Sequence, residues 1–145
     1  MKQTKSTKIS ELKREWHLID VKNKILGRVS SDIALLLMGK AKSNFVRNLD
    51  LGDYVVVINA KSVKVTGKKE TDKNYYRHSG FPGGFKSETL QELRERRPTE
   101  IVTRAVSGML PQNRLKKQML KRLYVFEGQE HNYMDKFKLQ KEEKK

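Results

Sequence analysis

The amino-acid sequence predicts an α/β domain in which a mostly parallel sheet carries helices on both faces. Three observations lead there. Tyr54 to Ile58 is an unbroken β-branched and aromatic run, the pattern of a central strand buried on both sides. Before it, Val29, Ile33, Leu36 and Leu37 recur at helical spacing. After it, Ile101, Val102, Ala105, Val106, Met109 and Leu110 form a second, wide apolar stripe.

The elements follow in order. Residues 1–14 are rich in Lys, Ser and Thr without apolar periodicity and read as a tail. Trp16 to Asp20 is a short strand that Asn23 and Lys24 break. Leu26, Gly27 and Arg28 turn the chain into the first helix, which Gly39 stops; Leu35 and Met38 lie off its stripe, so two of its sides are expected to be covered. Asp50-Leu-Gly-Asp53 is a turn, with Asp side chains bonding their own backbone. Val63-Lys-Val65 and Lys73 to His78 alternate, and one or both add edge strands. Ser79 to Gly84 is a loop by its glycines and proline. Ser87 is expected to cap a short charged helix ending before Pro98, and Pro111 closes the helix after it. Gln112 to Leu123 resumes helical spacing, with Leu115, Met119, Leu120 and Leu123 on one side. Tyr124 to Phe126 is a last short strand. Residues 15–131 therefore form the expected domain, and 132–145 a charged C-terminal tail.

Length and charge narrow the function. At 145 residues there is room for one core. Thirty-two Lys and Arg against seventeen Asp and Glu leave a net charge of +15, beyond the magnitude of ~2–8 that suffices for solubility. Such an excess calls for a polyanion, because each cation near a phosphate releases condensed counterions. A membrane is the competing polyanion, but the longest apolar run, Ile33 to Met38, falls far short of the ~20 residues that span a bilayer. Met1 to Lys8 lacks the apolar stretch of a secretory signal. Without cysteine there is neither a disulfide nor a thiolate metal site.

Two segments could meet nucleic acid. Around the Gln112 to Leu123 helix, at ~100° per residue, Arg114, Lys117 and Lys121 fall opposite the leucines and Arg122 flanks them. One side can pack while the other meets phosphates; a merely solvated amphipathic face is the alternative. The second is Lys73 to Lys86, where Lys73, Arg77, His78 and Lys86 interleave with Tyr75, Tyr76, Phe81 and Phe85 and with Gly83 and Gly84. Rings can stack on unpaired bases and glycines let backbone approach a phosphate. Alternatively the rings cap the core edge, and strand alternation requires one of the two tyrosines to point inward. Lys40, Lys42, Lys68 and Lys69 follow element ends, a placement suited to phosphates without base reading.

Enzyme chemistry finds no support in the spacing. Asp20, Asp50, Asp53, Asp72, His78 and His131 lie near element ends, yet no HExxH, GxSxG, Walker or dinucleotide pattern links them. Three scattered histidines make no metal cluster, and no cofactor is expected.

A collinear series of landmarks runs from about residue 15 to 131: Trp16-His-Leu-Ile-Asp20, Leu26-Gly-Arg28, Leu51-Gly-Asp-Tyr54, Val65-Thr-Gly67, Thr71-Asp-Lys73, Tyr75-Tyr-Arg-His78, Pro82-Gly-Gly84, Arg97-Pro98, Ala105-Val-Ser-Gly-Met-Leu-Pro111 and Glu130-His131. It resembles the bacterial-type large-subunit ribosomal protein L-thirteen family. The resemblance implies a three-layer α/β/α fold on a four-stranded, mostly parallel sheet. It implies a structural, non-enzymatic role in the large ribosomal subunit in the cytoplasm, on large-subunit rRNA and beside neighbouring ribosomal proteins, early in assembly, with neither membrane nor small-molecule substrate. RNA-facing positions would include Arg28, Lys40 to Lys42, Lys68, Lys69, Lys73 to Lys86, Arg114 to Arg122 and His131. The chain departs from the family pattern at Arg47-Asn-Leu49 and beyond Asn132. From charge alone, a nucleoid protein is the alternative, without a recognisable DNA-reading element.

Overall fold

The computed structural model describes residues 12–137. β1 (Trp16–Asp20) leads through Val21 to α1 (Leu26–Met38), whose apolar stripe is buried at Val29, Ile33 and Leu37. α1 ends at Gly39, in the left-handed region at φ +72, with its N–H on the carbonyls of Leu35 and Leu36. A Cβ there would lie 2.6 Å from the Leu51 carbonyl oxygen, so both backbone and packing demand glycine. β2 (Tyr54–Ile58) follows, then a 3₁₀ turn (Ala60–Ser62) and α2 (Lys69–Asp72). β3 (Asn74–His78) and β4 (Phe85–Thr89) form an antiparallel hairpin with Tyr76 opposite Ser87. α3 (Leu90–Arg96), α4 (Pro98–Met109), α5 (Lys116–Leu120) and β5 (Leu123–Val125) complete the described elements.

The main sheet is parallel in the order β1-β2-β5. The connections from β1 to β2 and from β2 to β5 step across it in one direction, and right-handed crossovers then lay their helices on one face. α1 and α4 do pack together, burying Val55 and Val57 of β2 beneath Ile33, Leu37, Ile101 and Val106. Trp16, Tyr54 and Tyr124 share the other face. Trp16 stacks on Tyr54 at 4.4 Å between centroids, and Tyr133 stacks on Trp16 at 5.2 Å. Phe137 closes edge-on at 6.3 Å.

The α/β class thus holds, but among the described residues the main sheet has three strands rather than four, with a separate two-stranded hairpin. On the main sheet's second face lies an aromatic layer to which Tyr133 and Phe137, before and at the end of the helical turn at residues 134–137, contribute. Val63-Lys-Val65 contributes one parallel bridge, between Lys64 and Ile25, rather than a strand. The Lys73 to His78 strand pairs outside the main sheet, with a partner that sequence periodicity did not mark. Ser87 lies inside that partner and caps nothing. The cap is Thr89, whose side chain accepts the Glu92 N–H while the Glu92 carboxylate accepts the Thr89 N–H. The expected helix from Gln112 to Leu123 shortens to Lys116–Leu120: the Asn113 side chain accepts the Lys116 N–H, and Leu123 enters β5.

Residues 1–11 and 138–145, read as parts of the two tails, lie outside the described residues. Arg14, also assigned to a tail, donates to the Asp50 carbonyl, and Lys13 accepts a bond from Lys42. Tyr133 and Phe137, from the other, lie in the aromatic layer.

Candidate nucleic-acid interface

The acids sort the cations into two groups. Asp53 is buried and accepts from the Glu15 N–H at 2.9 Å, from His17 Nε2 at 3.1 Å and from Lys42 Nζ at 2.5 Å. Burial pushes its carboxyl up, but these hydrogen bonds outweigh that and hold it below the ordinary carboxylate value. Lys42 Nζ also donates to the carbonyls of Lys13 and Leu51. Arg122, 5% exposed, forks onto both oxygens of Asp50 and reaches the Leu37 and Asp53 carbonyls. Lys42 and Arg122, expected to face RNA, therefore bind the protein itself. They fasten the Asp50 to Asp53 turn to the end of α1 and to the start of β5. Gly52 completes the joint, since a Cβ there would overlap the Leu37 carbonyl.

Arg94 is likewise held by Glu70 and by the Lys61 and Val63 carbonyls, Arg96 by Glu88, and Arg97 and Arg104 by Glu100. Arg97 first, then Arg104, keep the Glu100 carboxyl below its usual value against the opposing effect of burial.

The second group has no carboxylate within ion-pair distance among the described residues; it includes Lys22, Lys24, Arg47, Lys61, Lys64 and Lys73 and nine of the positions expected to face RNA, Arg28, Lys40, Lys68, Lys69, Arg77, Lys86, Arg114, Lys117 and Lys121. These nine are all exposed. Arg28 sits at the start of α1, where Gly27 shares a cleft with Lys68, Lys69, Lys73 and Arg104. Lys40 follows its other end, sharing a hollow with Arg47, Asn113 and Met119; Arg114, Lys117 and Lys121 continue from there along α5. With 13 residues at ~1.5 Å each, α1 separates these two cationic regions by roughly 20 Å.

The hairpin divides its side chains by alternation. Tyr75 turns inward against the core, and burial raises its phenol although Arg104 and Arg94 oppose the shift. Lys73 Nζ and the Arg104 guanidinium lie 5.2 and 5.1 Å from its ring. Tyr75, an expected base-stacking ring, is therefore covered, whereas Tyr76 and Phe85 stack on one another at 5.5 Å and are 63% and 61% exposed. Arg77 and Lys86 pair across the two strands on the opposite side. His78 Nδ1 accepts the Gly80 N–H, and Gly83 and Gly84 serve the turn: Gly83 has φ +72, and a Cβ on Gly84 would meet Ser79 Oγ at 2.0 Å. His131 is half-buried, accepting from the Tyr133 N–H at 3.3 Å and lying 6.0 Å from the Phe126 ring. Sequence reasoning passed over Arg104, a cleft residue of α4 that lies off that helix's apolar stripe.

A family model described as Ribosomal protein L13 matches residues 14–132. The chain belongs to the ribosomal protein L13 family. The "Large ribosomal subunit protein uL13" of Dehalococcoides mccartyi is 53% identical over 128 residues, covering 88% of this chain and 90% of that protein. Those of Halorhodospira halophila and Geobacter sulfurreducens are each 49% identical over 131 residues, covering 90% of this chain and 92% of the relative. The L13 relatives are named as ribosomal proteins and not as enzymes. Among the described residues, no group of three or more His, Asp or Glu is placed to hold a metal ion, and no helix is long and apolar enough to cross a membrane.

Proposed function

We propose that the chain is a structural constituent of the large ribosomal subunit in the cytoplasm, where it binds large-subunit rRNA, meets neighbouring ribosomal proteins and helps organise the RNA early in assembly. The observation that carries this reading is the partition of the cations. Carboxylates neutralise Lys42, Arg94, Arg96, Arg97, Arg104 and Arg122 within the fold. Exposed cations without a carboxylate partner among the described residues remain at the two ends of α1, in and beside α5 and on the hairpin, with others such as Lys22, Lys24, Lys61 and Lys64 elsewhere on the surface, in a family whose relatives are named for the large subunit.

Contacts spread over several elements suit a folded RNA better than one groove of a duplex. The hairpin adds Tyr76, Phe85 and the 74% exposed Phe81, rings on which unpaired bases can stack.

Sedimentation of cell extract in high salt tests the reading. Co-migration with the large subunit supports it; co-migration with chromosomal DNA supports a nucleoid protein instead. Binding to large-subunit RNA should also weaken steeply with salt, log K falling by roughly 0.7–0.9 per phosphate neutralised for each decade. A nearly flat response overturns the electrostatic account.

A further inference from the structure

The cleft between the start of α1, α2 and the end of α4 has a volume of about 640 Å³, within the ~300–1,000 Å³ usual for ligand sites. Two glycines line it, Gly27 in the first turn of α1 and Gly108 in the last turn of α4. Neither needs to be glycine for the fold. Neither has a positive φ, and a Cβ built on either meets no heavy atom within 4 Å. Gly39, Gly52 and Gly84, by contrast, are each crowded by protein atoms. Glycine within a helix is destabilising relative to alanine, so two such positions in the lining leave open space that a side chain would otherwise occupy.

The walls define what fits. Leu26, Val65, Leu90, Ala105 and Met109 supply apolar surface. Lys68, Lys69 and Lys73 supply three cations beside Arg104, which is paired with Glu100, and Asp72 is the one acid. Nothing acidic lies in the first turn of α1, and no side chain caps it. An apolar slot with a cationic rim matches a flat ring attached to an anion. We infer that the cleft receives one nucleotide extruded from an RNA strand, its base against the lining that includes Gly27 and Gly108 and its phosphate against Lys68 and Lys69. The inference rests on the RNA-binding reading above and adds a specific pocket to it. Arg28, one residue beyond the cleft, continues the cationic path for the flanking strand.

Filling the slot from its own wall is the test. Large subunits are assembled with the parent chain, with Gly108→Leu or with Gly27→Leu, and the bases and riboses of their RNA are probed chemically. Melting of the free variants is followed in parallel; Gly108→Ala, which only shortens the slot, should melt at or above the parent. The expected result is a several-fold rise in reactivity confined to one or two unpaired nucleotides in both leucine variants, the rest of the footprint being unchanged. Affinity for the RNA should fall roughly tenfold, the scale of one lost base-stacking contact. An unchanged footprint in subunits that contain a leucine variant overturns the pocket while leaving the RNA-binding reading intact. Absence of any footprint from the parent chain overturns both. If leucine unfolds the helix, the same probing with Gly27→Ala combined with Gly108→Ala decides, since partial filling must still raise the reactivity of those nucleotides.

Discussion

Arg122 places its two terminal nitrogens on the two carboxylate oxygens of Asp50, 72 positions earlier, and the side chains are only 6% and 8% exposed. The pair joins the turn before β2 to the residue before β5, so it sets where two adjacent parallel strands begin. Further bonds to the Leu37 and Asp53 carbonyls leave the guanidinium well satisfied.

Breaking this pair from one side leaves a buried charge without its partner, a change that destabilises by about 3–5 kcal/mol. Asp50→Ala and Arg122→Ala should each lower the melting temperature sharply, and the double variant should lose much less than the sum of the two. Salt dependence of RNA binding, measured on whatever fraction stays folded, should keep its slope in Arg122→Ala. A shallower slope would return Arg122 to the RNA-facing set.

Asp53 makes stability depend on acid. Its folded-state carboxyl lies below the ordinary 3.8, so its contribution is complete above that value and is lost as pH falls through the lower folded-state value. Unfolding free energy should therefore drop as the pH falls below about 4, more steeply in the parent than in Asp53→Asn. Chemical denaturation of both proteins between pH 2 and 6 checks this, and parallel curves would refute it.

Local periodicity made much of this fold legible. Tyr54 to Ile58 and the α1 stripe report their burial directly, because side-chain direction follows backbone period. The hairpin was half legible: β3 alternates, but Phe85-Lys-Ser-Glu-Thr89 carries two charges and a capping-type serine, and only the turn at Gly80, Gly83 and Gly84 folds it back onto β3. The pairing of Arg122 was not legible because one residue in a basic run looks the same whether it meets phosphate or a carboxylate 72 residues away. Asp50 and Asp53 were seen as turn formers, yet their charge matters through Arg122, Lys42 and His17, pairings that only tertiary structure creates. The aromatic layer was missed because Tyr133 and Phe137 are embedded in a charged segment.

In and beside α5, exposed Arg114, Lys117 and Lys121 are separated from the buried Met119. Replacing exposed Arg114, Lys117 and Lys121 by Glu touches no ion pair among the described residues, so the melting temperature should stay within a few degrees of the parent. Entry into large subunits should nevertheless fall, since three attractive contacts become repulsive ones. Met119→Ala, buried at 4% exposure, should act in the other order and cost about 2–5 kcal/mol. Melting measured beside subunit incorporation distinguishes the two, and normal incorporation of the triple variant would show that α5 is only a solvated face.

The aromatic layer gives the last prediction its own reporter, because Trp16 is the one tryptophan in the chain. Tyr54 lies against one side of the indole cluster and Tyr133 against another, and Phe137 meets it edge-on. Tyr133 also lies 4.5 Å from Tyr124, so residues 132–137 cover a sheet face on which Leu18 is already 46% exposed. Aromatic pairs of this kind contribute ~0.5–1.5 kcal/mol each beyond the area they bury. Ending the chain after His131 should therefore shift Trp16 emission to the red and lower the melting temperature by several degrees, at ~2–4 °C per kcal/mol for a chain near this size. Tyr133→Phe retains the ring and should keep both properties near those of the parent, whereas Tyr133→Ala should follow the truncation. If truncation leaves the emission unchanged, the segment does not cover Trp16 in solution, and the second face of the sheet must be closed by a partner rather than by the chain itself.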